Sequence, residues 1–497
     1  MTTLFAALLL PLLPAPQDPQ QASAATNGLA VDLYRRLATS DDGNLFLSPW
    51  SISTALAMAA EGARAETAAE MRRALHYGDG PLANMHASFA ALQQQLTAGA
   101  GNAPKATRDR ITALREQLAK QNDAAQSAMD RADYTKGRNL GREAKKTAVE
   151  LSALLATVDR YDLRAANSLW CDRTAPLLPA FLGELDRHYG TGFANIVDFR
   201  GDHDGARRQI NHWIANRTEQ RIVDMISQGG VSAGTRLVLA NAVYFRGEWQ
   251  EPFDADNTKD ADFQRADGQK LVMRLMRDQW REDVPYAAFT GTGDYFDTPK
   301  QVPADGAVLA ATYPDRDGFQ AIELPYKGGN LAMVVLLPRA HDGLGKLEQM
   351  LTADRLTGWL GKLARRDVDT ALPRFQQRGQ SNLGQALQAM GMARAFVDPT
   401  TGSGAQFEGM NGAEDPMQKL YIAAVFHQAF VEVTEKGTEA AAATVLTLDP
   451  GSAAPRIEMV PFRPVFRADR PFLFLIRDCK SGAILFLGRV CAPSPAA

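Results

Sequence analysis

Seven histidines, three cysteines and one serine motif are the places where this chain of 497 residues could do chemistry. Gly230-Val231-Ser232-Ala233-Gly234 has the G-x-S-x-G spacing that exposes a nucleophilic serine when a strand precedes it and a helix follows. Here the order is reversed, because a helical pattern ends near Gln228 and an apolar strand pattern begins near Leu237. His76, His86, His188, His203, His212, His341 and His427 are scattered. None lies in H-E-x-x-H, and no Cys/His pair has zinc spacing. Tyr326-Lys327-Gly328-Gly329 reads as a turn between strands rather than a phosphate cradle, and neither a P-loop nor a dinucleotide fingerprint occurs. Asn216-Arg217-Thr218 matches the glycosylation sequon but falls in a helical pattern. Cys171, Cys479 and Cys491 match no metal site and read as structural thiols, with a Cys479–Cys491 bridge open if neighbouring strands carry them. These residues specify no catalyst, no metal and no cofactor.

A mechanical kind of chemistry is written in residues 428–455. Gln428 to Val433 alternates as a strand, and Glu435-Lys436-Gly437 is turn-like. Thr438, Glu439, Ala440, Ala441, Ala442, Ala443 and Thr444 follow, then the extended Val445-Leu446-Thr447 and a polar tip, Leu448-Asp449-Pro450-Gly451-Ser452. By composition alone the alanine run is a short exposed helix or a slack loop. Against that, it leads straight off a strand and becomes β-branched beyond Thr444. A segment that slides between two packed strands must offer backbone N–H and C=O to both, and small side chains keep it from overpacking the layer beneath. As a strand it would set Thr438, Ala440, Ala442 and Thr444 on one face and Glu439, Ala441 and Ala443 on the other. Ten new strand residues would form on the order of ten ladder bonds of roughly 0.5–1.5 kcal/mol each, a gain comparable to the stability of a domain.

The elements that must position such a segment are interspersed helices and strands. Helical spacing is read at 27–40, 51–59, 66–75, 178–189, 209–228, 343–364 in two pieces and 382–391. Strands are read at 44–48, 163–170, 237–245, 319–324, 331–337, 421–433, 456–466, 472–476 and 483–490. With no βαβ regularity and no internal repeat, this is a mixed α+β pattern with antiparallel sheets.

Composition bounds the rest. An apolar fraction of 45% and a charged fraction of 22% are those of a globular protein. A formal net charge of -3 argues against general attraction to nucleic acid or anionic membrane. Residues 99–158 read as an inserted helical hairpin, helices at 105–133 and 142–158 joined by a turn at Gly137 and Gly141. Residues 99–160 hold 12 Lys/Arg and 8 Asp/Glu, a net of +4, leaving -3 - 4 = -7 for the remainder. Residues 277–312, rich in Gly, Asp, Pro and Thr, read as an irregular excursion. The apolar run from Leu4 to Pro14 is too short to span a membrane. It reads as the core of a signal peptide covering 1–25, in preference to a disordered apolar leader. Without leader and excursions, about 375–390 residues remain, the size of one large domain, 26–497.

With these residues in view, the chain resembles the serpins of the inhibitory, bacterial-like type. The resemblance rests on the hinge from Glu435 to Thr444 and on Phe466-Arg467-Ala468-Asp469-Arg470-Pro471-Phe472-Leu473-Phe474-Leu475-Ile476 beyond the loop. It extends to Asn44 through Ala59 and to Leu239-Ala240-Asn241-Ala242-Val243-Tyr244-Phe245-Arg246-Gly247-Glu248-Trp249. It implies a single domain of three mostly antiparallel β-sheets with about nine helices and an exposed reactive-centre loop at 435–460. The implied function is irreversible, suicide-substrate inhibition of serine-type endopeptidases, the protein being no enzyme. The alternative is a non-inhibitory chaperone, carrier or storage role. The resemblance assigns Ser48, Ser51, Asn241 and His427 to a polar cluster beneath the sheet, and Trp249, Arg374 and Glu435 to the point where the loop would insert. The family's spacing places the scissile bond between Gly451 and Ser452, which favours an elastase- or subtilisin-like target. Leu448, Ala453 and Arg456 remain alternatives, the last implying a trypsin-like target. The expected setting is a secreted or periplasmic monomer, with no nucleic-acid or membrane partner and with a polyanion or protein partner open at 99–158.

Overall fold

The computed structural model describes residues 18–437 and 459–494, apart from 41, 100–105, scattered positions between 108 and 132, 157–160, 191, 219, 299–300 and 304–315. Among the described residues, about 11 helices and three sheets make up a mixed α+β domain. The helices that matter for the site are Gln20–Ala38 (α1), Pro49–Gly62 (α2), Ala65–Ala74 (α3), Leu82–Gly99 (α4), Tyr134–Ala156 (α5), Pro179–Tyr189 (α6) and Phe199–Arg217 (α7).

The central sheet has five strands in the order Phe375–Asn382 (β12), Ile422–Val433 (β13), Leu237–Gly247 (β4), Tyr161–Asp172 (β2) and Ala194–Val197 (β3). Its middle is unusual. β13 and β4 run parallel, paired directly from Ile422 opposite Leu237 to Val431 opposite Phe245, while β12 and β2 flank them antiparallel. β4 is a nearly continuous apolar run because both of its faces are covered, whereas β13 leaves Ala423 exposed and Phe426, Phe430 and Glu432 half-covered. One face packs on α2, whose Pro49 sits in the first turn, where its missing N–H costs nothing. Small and apolar side chains all round α2 let it be buried on every side. The other face is covered by α7, whose Ile210 and Ile214 join Trp170, Val238 and Ala240 in a second, smaller core.

The ten-stranded sheet follows the path Leu45–Leu47 (β1), Ile484–Val490 (β17), Phe472–Asp478 (β16), Leu331–Pro338 (β10), Phe319–Pro325 (β9), Lys270–Phe289 (β6), Ala364–Pro373 (β11) and Val465–Arg467 (β15). Lys259–Gln264 (β5) and Tyr295–Phe296 (β7) pair with β6 off this path. Met459–Pro461 (β14) pairs with Gln301–Pro303 (β8) as a separate two-stranded sheet.

Several expectations are corrected here. The excursion at 277–312 begins as ordered sheet, since β6 runs unbroken to Phe289. Its loop-like composition belongs to an irregular stretch, with register shifts opposite Arg366–Thr370 and a positive φ of 56° at Asp283. A leader ending at residue 25 would cut into α1, which starts at Gln20 and buries Ala22 and Ala25. The hairpin's second helix starts at Tyr134 and passes through Gly137 and Gly141, so these glycines do not form the turn; just before the helix, Asp133 Oδ1 accepts from the Lys136 N–H at 3.1 Å. The helix expected at 209–228 ends at Arg217, and the backbone turns at Gln220, with φ 61°. Cys479 and Cys491 directly follow the neighbouring strands β16 and β17 but stand at opposite ends of the pair, because β16 and β17 are antiparallel with Phe472 facing Val490. All three cysteines are free thiols.

Candidate functional site: a closed sheet and its hinge

One rung of the central sheet carries polar groups across three strands. His427 of β13 lies opposite Asn241 of β4, which lies opposite Asn167 of β2. All three are buried, as are Ser48 and Ser51 at the start of α2. The Ser48 N–H donates to His427 Nε2 at 3.1 Å, and the Ser48 hydroxyl donates to the Leu485 carbonyl at 2.6 Å. On its other side the imidazole meets Asn241 Oδ1 through Nδ1. Asn241 Nδ2 donates to Ser51 Oγ and to Asn167 Oδ1, and Ser51 Oγ donates to Asn167 Oδ1 at 2.6 Å. The four residues expected to meet beneath the sheet therefore do meet. Asn167 was missed, although an asparagine inside an apolar strand, on the rung of Asn241, was the available signal.

The partners fix the histidine's state. Nε2 accepts from a backbone donor, so the proton sits on Nδ1 and the ring is neutral. Burial pushes its pKa from 6.5 down to about 3. The unfolded chain thus binds a proton between these values that the folded chain refuses. This group's contribution to stability is complete above pH 6.5 and is lost as pH drops towards 3, by on the order of 1 kcal/mol per pH unit. Urea unfolding between pH 7 and pH 4 should show that slope, and His427→Gln should remove it. An unchanged slope in the variant would assign the titration elsewhere.

A second cluster holds the root of the hinge at the end of the same two strands. After β13 the chain reverses in a tight turn: Thr434 N–H donates to the Gly437 carbonyl at 2.9 Å, and Gly437 N–H donates to the Thr434 carbonyl at 3.1 Å. The turn is docked on the continuation of β4. The Trp249 N–H donates to the Lys436 carbonyl at 3.1 Å, Trp249 Nε1 donates to the Thr434 carbonyl at 3.0 Å, and the Phe253 N–H donates to the Glu435 carbonyl at 2.8 Å. Trp249 stacks on Tyr326 with centroids 4.6 Å apart. Lys327 pairs with Glu248 at 2.8 Å, so the turn at 326–329 braces the same corner. Arg374 Nε lies 3.5 Å from Glu435 Oε2, both side chains being largely covered. Trp249, Arg374 and Glu435 are therefore together, and Tyr326 and Glu248 join them unforeseen.

Gly437 forms an antiparallel bridge with Glu248. Its φ is 92°, and a Cβ there would stand 2.2 Å from the Trp249 nitrogen, so only glycine fits. The chain has thus already turned back on β4 by one residue. Thr438, Glu439, Ala440, Ala441, Ala442, Ala443, Thr444, Leu448, Gly451, Ser452, Ala453 and Arg456 lie outside the described residues.

A catalytic arrangement is not what the serine motif forms. The Ser232 N–H donates to Thr235 Oγ1 at 2.9 Å and Ser232 Oγ accepts from the Gly234 N–H at 3.3 Å, closing an exposed turn before β4. Among the described residues no group of three or more His, Cys, Asp or Glu could hold a metal ion, and no helix is long and apolar enough to cross a membrane.

The family model described as Serpin (serine protease inhibitor) matches residues 24–493. An uncharacterised serpin-like protein of Thermococcus kodakarensis is 33% identical over 469 residues, 94% of this chain and 85% of its own. The leukocyte elastase inhibitor of Sus scrofa is 32% identical over 481 residues, 95% of this chain and 100% of its own. Among solved structures, human thyroxine-binding globulin superposes with a TM-score of 0.67 at 22% identity, covering 96% of this chain and 99% of its own.

Proposed function

Because this chain belongs to the serpin family, we propose that it is an irreversible, suicide-substrate inhibitor of serine-type endopeptidases. The observation that carries the proposal is the parallel pairing of β13 and β4 beside a hinge already bridged antiparallel to β4. A strand continuing from Gly437 would run antiparallel to both neighbours. It would replace one parallel ladder by two antiparallel ones, which are slightly more stable per residue.

The bridge between Gly437 and Glu248 also sets a register. Extended downward, it brings Ala440 opposite Phe245, Ala442 opposite Val243 and Thr444 opposite Asn241. Phe245 and Val243 belong to the main core, so the even-numbered residues of the loop would face that core and must be small. Thr444 would arrive between Asn241 and His427, where its hydroxyl can satisfy the groups that opening separates.

The target protease's serine attacks the carbonyl of the bait residue, Gly451 by spacing. The Gly451–Ser452 bond breaks, the new amine leaves with a proton, and an ester links Gly451 to the enzyme. Freed at that end, the loop zips into the sheet and carries the protease with it, and the acyl-enzyme is distorted before water can release it. The serpin supplies bait and stored energy rather than catalytic groups. A small bait residue favours an elastase- or subtilisin-like target, and a secreted or periplasmic setting agrees with the apolar run at 4–14.

Mixing the protein with elastase-, subtilisin- and trypsin-like proteases tests this reading. An SDS-stable covalent complex with at least one of them is expected. Clean loop cleavage with full protease activity retained would instead assign a non-inhibitory role.

A further inference from the structure

On the face of the central sheet away from α2, Tyr244 of β4 and Phe430 of β13 are direct cross-strand partners. Their rings stack with centroids 6.0 Å apart and planes 9° from parallel. A cation covers each side of the pair. The guanidinium of Arg221 lies 5.4 Å from the Tyr244 ring, and that of Arg378 lies 5.6 Å from the Phe430 ring. Tyr244 is buried, Phe430 is half-buried and both arginines are exposed. Arg221 comes from the segment just after α7, and Arg378 from β12, where it pairs with Phe430. The four side chains therefore form one row across the seam between the two parallel strands, tied at one end to the covering helix and at the other to the sheet's edge strand.

We propose that this cation–aromatic row is a clasp that holds the central sheet closed and sets the rate at which the loop can enter. The proposal rests on the loop-insertion reading given above. In the register set by Gly437 and Glu248, Ala441 arrives opposite Tyr244, between the two rings, three residues before Thr444 reaches the polar rung. Admitting one strand moves β4 and β13 from about 4.8 Å to about 9.6 Å apart, beyond the 4.5–7 Å range in which aromatic rings attract one another. The clasp is thus made in the closed sheet, lost in the opened one, and met before the buried histidine. Its contacts raise the barrier to insertion without contributing to the inserted state. An offset-stacked pair with a cation on each face is sufficient for about a tenfold effect on opening.

The test uses the full chain carrying Tyr244→Ala or Phe430→Ala, with Tyr244→Phe as the control that keeps the ring. Phe430→Leu, which keeps apolar volume but not the stack, serves if the alanine variants do not accumulate. Uptake of a synthetic peptide copying residues 438–449 by uncleaved protein is followed on native gels under mild heating. Melting midpoints are compared before and after cleavage of the loop. The stack-breaking variants should take up peptide about tenfold faster and melt earlier when intact, but match the wild type once cleaved, with Tyr244→Phe tracking the wild type throughout. Wild-type uptake rates in the stack-breaking variants would overturn the clasp, as would equal losses of stability in intact and cleaved forms. A wild-type protein that neither takes up peptide nor gains stability on cleavage would overturn loop insertion itself, and the clasp with it.

Discussion

Exchanging two neighbouring residues, Glu439→Ala together with Ala440→Glu, should convert the protein from a trap into an ordinary substrate. The composition of the loop is unchanged, so only the face that carries the charge differs. In the register begun by Gly437, residue 440 comes opposite Phe245, which is buried in the main core, while residue 439 comes opposite Arg246 on the far face, which is only partly covered. A carboxylate forced against Phe245 lacks any partner, and its burial costs several kcal/mol. Zipping should stall at the third residue beyond the glycine, leaving the ester time to hydrolyse. SDS-stable complex should fall to less than about one tenth of the wild-type amount with loop cleavage unimpaired. Glu439→Ala alone should keep most of the complex. Equal behaviour of the exchanged and wild-type proteins would show that the register continued from Glu248 is not the one used.

The second large effect concerns stability. Cutting the loop within 445–456 by a protease that is then removed should raise the melting midpoint, whereas nicking a loop in most proteins leaves it unchanged or lowers it. The inserted strand adds on the order of ten ladder bonds worth roughly 1 kcal/mol each. It also exchanges the parallel β13–β4 seam for two antiparallel ones. A gain of about 10 kcal/mol in a chain of this size corresponds to a rise on the order of 10 °C or more. Differential scanning calorimetry of intact and cut samples measures it directly. Coincident transitions would mean that the closed sheet is already the most stable arrangement and that no stored energy drives inhibition.

How much of the site was legible beforehand depended on whether its signal was local. The turn at Glu435 to Gly437 could be read because turn residues leading straight off a strand are a property of adjacent residues, and the alanine run beyond it lies outside the described residues. Ser48, Ser51, Asn241 and His427 could be grouped only through the family's pattern, since they lie far apart in the chain and share one rung and one helix start. Asn167 escaped because an asparagine inside an apolar strand marks a polar rung only once the register of β2 on β4 sets it opposite Asn241. The segment at 277–289 was misread because bulges let Asp and Arg interrupt an otherwise continuous strand. The hairpin turn was assigned to Gly137 and Gly141, whereas Asp133 caps the helix and the glycines are carried within it.

By itself, the sequence determined that this chain builds a mixed α+β domain and that the residues following its last central strand and turn are small. These follow from side-chain size, periodicity and neighbour order, which are encoded along the chain. Only the tertiary structure decided that β13 and β4 are paired directly, that Gly437 has already turned back on Glu248, and that Tyr244 and Phe430 close the seam between them. Those facts depend on which distant strands become neighbours and in what register. A sheet's register is settled by the burial of both faces at once, so it cannot be read from any one of its strands.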